Sequence, residues 1–290
     1  MLKGLFTAII TPFKNGKIDE DAFSCLIEKQ IAGGVSGVVP CGTTGESPTL
    51  SHDEHNHLIK LSVKIAAGRI KIIAGTGSNC TKEALSLTQK AQIHKADAAL
   101  IVSPYYNRPI KEGIYLHYKT INDNSNIPII IYNVPSRTMI DITDEEIARM
   151  SKLKNIVGVK DATGNLSRVQ NLRKMVGNDF SILSGEDPTL VEFNKLGGDG
   201  IISVTSNIAP YLCSSMQKLC NASNFDRAMQ IQTDLSHLNQ LLFANTNPIP
   251  IKYACYLAGL CDNEIRLPLS EPDKKLQESL KKELIKLNII

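Results

Sequence analysis

The chain has 290 residues, of which 42% are apolar and 21% are charged, and its formal net charge is +3. This is the composition of an ordinary globular protein, and the length suits a single α/β barrel with a large core. Basic and acidic residues are interspersed, so we expect no nucleic-acid partner and no membrane partner.

Short β-rich runs alternate along the chain with longer segments of helical spacing. Eight runs are predicted strands: residues 5–11, 35–41, 71–75, 98–105, 128–133, 156–161, 180–184 and 200–205. The predicted helices between them are residues 19–32, 51–67, 81–94, 111–122, 143–151, 167–175 and 188–196. Strand then helix, repeated eight times, favours a (β/α)8 TIM barrel over an open doubly wound sheet, for which the chain also lacks a dinucleotide fingerprint.

After residue 205 the alternation stops and only helices are predicted. They cover residues 210–220, 225–243, 250–258 and a last segment from residue 272 onward, whose apolar face is Leu276, Leu280, Leu284 and Leu287. The first can serve as the eighth barrel helix. We therefore expect a catalytic barrel at residues 1–222 and a C-terminal helical extension at residues 223–290.

Seven cysteines are spread along the chain without a C-x-x-C pair. This pattern favours reduced thiols over a zinc or redox site, and so a cytoplasmic protein. The apolar start at residues 5–10 is too short to span a membrane, and no signal-peptide cleavage pattern follows it.

The predicted strand at residues 156–161 carries a lysine near its end. Side chains alternate along a strand, so Ile156, Gly158 and Lys160 are expected on one face, with Gly158 leaving room for the long lysine. A lysine amine in apolar surroundings loses its proton more readily and can attack a carbonyl carbon. The alternative is a lysine that closes the strand and reaches solvent.

Polar residues gather at the other strand ends, where barrel enzymes place their working groups. The second strand ends in Gly42-Thr43-Thr44-Gly45-Glu46, whose amides and hydroxyls suit a small carboxylate, although a plain tight turn would look similar. Tyr132, on the strand beside Lys160, can relay protons, and Arg137 offers a planar fork to a carboxylate. Their alternatives are a rim tyrosine and a solvated arginine. Together these residues predict an imine with a keto acid, and because the protonated imine is itself the electron sink, no cofactor and no metal are expected.

Five motifs in order resemble the dihydrodipicolinate synthase family, class I pyruvate-dependent aldolases of the (β/α)8 type, along the whole chain. They are GTTGE at residues 42–46, SPYYNRP at 103–109, YNVPSRT at 132–138, GVKDATG at 158–164 and NPIP at 247–250. The resemblance implies a lyase that condenses pyruvate with L-aspartate 4-semialdehyde through a Schiff base to 4-hydroxy-tetrahydrodipicolinate, on the route to diaminopimelate and lysine.

The resemblance also implies roles for individual residues. Lys160 would form the Schiff base, and the proton relay would comprise Thr43, Tyr132 and Tyr106, the last from a partner subunit of a homotetramer built as a dimer of dimers. Thr44 would bind the pyruvate carboxylate and Arg137 the semialdehyde carboxylate. Gly185 and Ile202 would line the pocket through main-chain groups.

A lysine site for feedback inhibition is implied as well, at Ser47, Pro48, His52, His55, Asn79, Glu83 and Tyr105. From spacing alone, the histidines read as a solvated helix start, and they lack the H-E-x-x-H order of a metal site. Pro48 stands where alanine is frequent in sensitive enzymes, which leaves the strength of inhibition open. Two further functions stay open. The first is another pyruvate aldolase that acts on N-acetylneuraminate or a 2-keto-3-deoxy sugar acid, although such enzymes usually lack an arginine in the loop that carries Arg137. The second is a barrel that only senses an amino acid and does not catalyse.

Overall fold

Eight parallel strands close into a barrel in the computed structural model, which describes residues 1–290. The strands are β1 Gly4–Thr7, β2 Gly37–Val38, β3 Lys71–Gly75, β4 Ala98–Val102, β5 Ile129–Asn133, β6 Ile156–Asp161, β7 Ser181–Ser184 and β8 Gly200–Ser203. They follow each other around the barrel in chain order, and β8 pairs with β1 to close it. The predicted (β/α)8 barrel is confirmed, with strands shorter than predicted at several ends.

Thirteen helices accompany the strands. They are α1 Glu20–Ala32, α2 His52–Ala66, α3 Thr81–Ile93, α4 Lys111–Asp123, α5 Pro135–Thr138, α6 Asp144–Met150, α7 Ser167–Val176, α8 Leu190–Lys195, α9 Pro210–Asn221, α10 Phe225–Asp234, α11 Ser236–Leu242, α12 Ile249–Leu257 and α13 Lys274–Lys286. Capping boxes start α2 at Ser51 and α6 at Thr143, so the first-turn amides have partners. None of the helices has both the length and the apolar character needed to cross a bilayer.

One predicted helix is wrong in its extent, and one element was missed. The segment 225–243 is not one helix, because it breaks at Leu235, where Ser236 Oγ donates to the carbonyl of Thr233 at 2.6 Å and so occupies a carbonyl near the helix end. A short antiparallel hairpin, Phe13–Lys14 with Lys17–Ile18, was not predicted. Of the four leucines predicted on the apolar face of the last helix, Leu276, Leu280 and Leu284 are buried, whereas Leu287 lies just beyond the helix and is half-buried against the same core.

The apolar core has two layers. A cluster of 12 buried residues fills the barrel interior, and a cluster of 57 lies between the barrel wall and the helices. Ile130 and Tyr132 both belong to the inner cluster, as their alternation on β5 predicts. The top of this inner layer is where polar groups replace apolar ones, so the barrel itself positions the site.

The strand β6 contains an irregularity that changes which side chains face inward. Ile129 pairs with Ile156, but Ile130 pairs with Gly158, which leaves Val157 as an extra residue. Ile156 packs in the outer layer and Val157 against the inner one. The prediction that Ile156 shares a face with Lys160 is therefore wrong, since one extra residue shifts the alternation by one position.

Candidate active site

A cavity of about 250 Å³ opens at the carboxyl ends of the barrel strands. Seven of the eight residues predicted to be catalytic or substrate-binding line it: Thr43, Thr44, Tyr132, Arg137, Lys160, Gly185 and Ile202. The other lining residues were not predicted as site residues, and three of them matter for the chemistry or the shape of the cavity: Glu186, Phe243 and Asn247. Phe243 and Asn247 come from the C-terminal helical region, so that region forms part of the cavity wall.

The amine of Lys160 lies inside this cavity on β6. Lys160 pairs with Tyr132 of β5 across the sheet, and its Nζ is 4.3 Å from the centroid of the phenol ring. The lysine is 6% exposed, and the only carboxylate among the lining side chains is that of Glu186. Burial raises the pKa of Glu186, and the charge of Lys160 opposes that rise. The site thus holds a buried lysine amine beside a phenol and one carboxyl group.

Two positions near Lys160 are glycine because a Cβ there would clash, but the clashing atoms differ. A Cβ on Gly185 would lie 3.0 Å from Cε of Lys160 and 2.7 Å from Cβ of Ala162. A Cβ on Gly158 would instead strike Ser181 of β7, at 2.7 Å from its carbonyl oxygen. The room for the lysine side chain is therefore provided by Gly185, and the role predicted for Gly158 is wrong, because that glycine permits close strand packing.

The turn after β2 presents unpaired donors to the cavity. No protein group accepts a hydrogen bond from the backbone N–H of Thr43 or Thr44, whereas the neighbouring N–H groups of Gly45 and Glu46 bond within the turn. Thr44 is 2% exposed, and its Oγ1 accepts a hydrogen bond from Nδ2 of Asn247 at 3.0 Å. Two free amides beside two hydroxyls can bind a small anion.

Glu46 ties the turn after β2 to the C-terminal region through buried contacts. Its backbone is left-handed, with φ 55°, and its side chain is fully buried in an ion pair with Lys252 of α12. The backbone N–H of Arg266 donates to the same carboxylate at 3.0 Å. Burial lowers the pKa of Lys252, and the Glu46 carboxylate works against that shift. The centroid of the Phe13 ring lies 4.0 Å from Nζ of Lys252, which adds a cation–π contact.

Arg137 reaches the cavity from the short helix α5, which follows β5. Its Nη2 donates to the backbone carbonyl of Asn247 at 2.9 Å. The remaining N–H groups of the guanidinium have no partner among the side-chain hydrogen bonds of the chain, and the residue lies at the solvent-exposed mouth. A planar fork in this place can bind a carboxylate.

Tyr106 is not brought to Lys160 by the fold of a single chain. Its side chain is 91% exposed and is not among the residues lining the cavity. Its backbone is left-handed, with φ 71°, an uncommon conformation for a bulky residue. The loop therefore projects an aromatic side chain away from its own barrel.

The residues predicted to bind lysine lie around the starts of α2 and α3. His52 Nε2 contacts Glu83 Oε1 at 2.8 Å, and both residues line a cavity of about 450 Å³. His55 differs from them, because it is 4% exposed and its Nε2 bonds to the carbonyl of Gly75 at 2.7 Å. Burial lowers its pKa. The other members are exposed or half-buried: Ser47, Pro48, Asn79 and Tyr105.

Comparisons with known proteins show which family this chain and its fold resemble. Residues 1–287 match the family model described as the dihydrodipicolinate synthetase family. A curated 4-hydroxy-tetrahydrodipicolinate synthase from Parvibaculum lavamentivorans is 55% identical over 93% of this chain and 92% of its own. A crystal structure of a chloride-inhibited dihydrodipicolinate synthase from Acinetobacter baumannii, complexed with pyruvate, is 42% identical with a TM-score of 0.98 over 100% of both chains. A lysine-bound enzyme of this kind from Cyanidioschyzon merolae is 33% identical with a TM-score of 0.96 over 99% of both chains.

Proposed function

The chain belongs to the dihydrodipicolinate synthetase family, and we propose that its cavity joins pyruvate to L-aspartate 4-semialdehyde through an imine on Lys160. The protein is a lyase of the class I aldolase type, and its product is 4-hydroxy-tetrahydrodipicolinate, in lysine and diaminopimelate biosynthesis. The observation that carries the proposal is the burial of Lys160, a residue that is 6% exposed, in one cavity with Tyr132, Thr44 and Arg137.

Pyruvate binds first in this account. Its carboxylate takes the free N–H groups of the turn after β2 and the hydroxyl of Thr44, which places its keto carbon toward Lys160. The Nζ lone pair attacks that carbon, the carbinolamine loses water, and a protonated imine remains. Tyr132 lies beside the amine and, with Thr43, moves the protons that these steps require.

The carbon–carbon bond forms next. Loss of a proton from the methyl carbon of the imine gives an enamine, because the protonated imine accepts the electron pair. The enamine carbon attacks the aldehyde carbon of the semialdehyde, whose oxygen becomes the hydroxyl. The α-ammonium group of the same substrate then gives a proton to the relay, and its nitrogen attacks the imine carbon. The Lys160 amine takes up a proton and leaves, which closes the ring and frees the enzyme.

Charge and size favour this pair of substrates over a sugar-derived one. Arg137 at the mouth matches the carboxylate of the semialdehyde, and Glu186 is the carboxyl group of the cavity that can accept a hydrogen bond from its ammonium group. A cavity of about 250 Å³ is below the roughly 300–1,000 Å³ typical of sites for larger ligands. Gly185 and Ile202 line it as the resemblance implies. N-acetylneuraminate is bulkier than the adduct of pyruvate and the semialdehyde, and both N-acetylneuraminate and the 2-keto-3-deoxy sugar acids carry hydroxyl groups instead of the ammonium.

A coupled assay tests the proposed reaction. The purified protein is given pyruvate with aspartate semialdehyde, and in parallel reactions N-acetylneuraminate or 2-keto-3-deoxygluconate. We expect turnover of the first pair and cleavage of neither sugar acid. Efficient cleavage of either sugar acid without condensation of the semialdehyde would assign the site to the alternative aldolase.

We further propose that Tyr106 completes the proton relay in a partner's cavity within a homotetramer. Its 91% exposure and its left-handed backbone support this role, since strain in an exposed aromatic residue needs compensation elsewhere. Tyr106→Phe should lower kcat and leave pyruvate trapping at Lys160 intact. Analytical ultracentrifugation measures the oligomer, and an active monomer would contradict the shared relay.

Lysine is the proposed inhibitor at the cluster around His52 and Glu83. A carboxylate on the wall of a cavity of about 450 Å³ suits an ammonium group, and the related enzyme from Cyanidioschyzon merolae has been crystallised with lysine bound. His55 supports this site from within by its bond to Gly75. We expect lysine to raise the melting temperature of the wild type and not of Glu83→Gln; an equal rise in both would place lysine elsewhere.

Two broader proposals accompany the function. We place the catalytic barrel at residues 1–222 and regard residues 223–290 as an extension that completes the cavity wall, because Phe243 and Asn247 line it.

We also place the protein in the cytoplasm, where its seven unpaired thiols would stay reduced. Limited proteolysis and cell fractionation test these two statements.

A further inference from the structure

Asn247 joins the two groups proposed to bind the substrates' carboxylates. It lies just before α12, is 8% exposed and lines the cavity. Its side-chain Nδ2 donates to Oγ1 of Thr44 at 3.0 Å, and its backbone carbonyl accepts from Nη2 of Arg137 at 2.9 Å. A single residue of the C-terminal region therefore touches Thr44 on one side of the cavity and Arg137 on the other.

The bond to Thr44 decides what its hydroxyl can do. A hydroxyl has one hydrogen to donate and lone pairs with which to accept. Because Oγ1 accepts from the Asn247 amide, its own hydrogen is free for an anionic ligand. A neighbour that could only accept would take that hydrogen and turn the hydroxyl away from the ligand.

The bond to Arg137 uses the backbone, so it is independent of the side chain at position 247. One N–H of the guanidinium is held by the carbonyl of Asn247, which fixes the plane of the fork and leaves its other donors for a carboxylate. Substitutions at this position should thus alter the Thr44 contact while sparing the Arg137 contact.

We propose that Asn247 is a positioning residue that directs the Thr44 hydroxyl toward the pyruvate carboxylate and orients Arg137 through its carbonyl. The inference rests on the proposed function. It extends the binding site for pyruvate into the C-terminal region, and it predicts a specific order among variants: an acceptor at position 247 is worse for pyruvate binding than no side-chain polar group at all.

The test measures pyruvate binding without the second substrate. Protein is mixed with increasing pyruvate, reduced with borohydride, and the modified fraction is read by mass spectrometry. We expect Asn247→Asp to raise the half-saturating pyruvate concentration about tenfold or more, the effect of losing one hydrogen bond to a charged group. Asn247→Ala should give a smaller rise. Asn245→Asp adds the same charge in the same loop, where the native side chain bonds only to Ala244, and it should match the wild type.

A double-variant cycle separates positioning from a general structural effect. In a Thr44→Val background the hydroxyl is gone, so adding Asn247→Ala should produce no further rise in the half-saturating concentration. A full additional rise in that background, or wild-type trapping by both Asn247→Asp and Asn247→Ala, would overturn the inference. Failure of the wild type itself to trap pyruvate would instead overturn the proposed function. The isosteric Asn247→Asp protein should melt close to the wild type, which keeps the comparison among folded proteins.

Discussion

The substitution Gly185→Ala probes the path of the Lys160 side chain. The added methyl would lie 3.0 Å from Cε of Lys160 and 2.7 Å from Cβ of Ala162, whereas carbon atoms pack at about 3.5–4.0 Å. Relief of this clash requires Lys160 to move by roughly 0.5–1 Å. Misplacement of a reacting group by about 1 Å costs on the order of 10²-fold in rate, while overpacking destabilises the fold by about 1–3 kcal/mol.

The assay compares kcat/KM, the rate of pyruvate trapping and the free energy of unfolding. For Gly185→Ala we expect a loss of about 10²-fold in kcat/KM, a loss too large to follow from a modest decrease in stability. The double variant Ala162→Gly with Gly185→Ala removes the 2.7 Å contact with Cβ of Ala162, leaves the Cα of that residue at 3.2 Å, and keeps the contact with Lys160. It should regain stability and remain slow. Wild-type kcat/KM in Gly185→Ala would show that the lysine does not pass this glycine.

Three more predictions address support, acid stability and specificity. Lys252→Met removes the ion-pair partner of the buried Glu46 carboxylate, so the free energy of unfolding in urea should fall by about 3–5 kcal/mol. The double variant Lys252→Met with Glu46→Gln should regain part of this loss. An unchanged urea midpoint in Lys252→Met would refute the role of this ion pair in supporting the turn after β2. Burial lowers the pKa of His117 to about 4 from 6.5, so the unfolded chain takes up a proton first. The free energy of unfolding should therefore fall as pH drops from about 6.5 toward 4, by up to about 3 kcal/mol. His117→Gln should flatten this slope, and an unchanged slope in that variant would show that this histidine does not set the acid stability. Arg137→Lys loses the planar fork and should lower kcat/KM for the semialdehyde about tenfold to a hundredfold, with pyruvate trapping unchanged; equal losses in both would place Arg137 on pyruvate.

Local sequence patterns were sufficient to predict most of the fold. The eight strands and the helices between them follow from alternation and helical spacing, and the break at Leu235 left no comparable signal, because it depends on the bond between Ser236 and Thr233. The irregularity at Val157 was equally invisible, since all of residues 156–159 suit a strand and only the pairing with β5 shows that one residue is extra.

The candidate site was predictable where it lies at strand ends. Lys160 and Tyr132 are the penultimate residues of β6 and β5, and Thr44 lies in the turn after β2, so barrel topology brings all three to the same end of the barrel. Asn247 is far from them in sequence, and its two bonds depend on how the C-terminal helices pack on the barrel. The NPIP motif at residues 247–250 marked this segment without indicating what its asparagine contacts. The buried partner of Glu46, Lys252, comes from the same segment and was missed for the same reason.

Exposure distinguishes neighbouring residues that spacing in the sequence cannot separate. Tyr105 and Tyr106 are adjacent, yet Tyr106 is 91% exposed and Tyr105 is 36% exposed. Likewise His52 and His55 share a helix face, but His55 is committed to the Gly75 carbonyl inside the fold. Sequence spacing places such residues near each other, and only packing decides which of them is free to meet a ligand or a partner.

Reduction of the pyruvate imine is the most direct test of the central claim. The protein is incubated with pyruvate and borohydride, digested, and the modified residue is identified by mass spectrometry, with Lys160→Ala as the matched control. We predict a stoichiometric adduct on Lys160 and none in the control. An adduct on another lysine, or wild-type protein that stays unmodified while it condenses pyruvate with the semialdehyde, would contradict the imine mechanism.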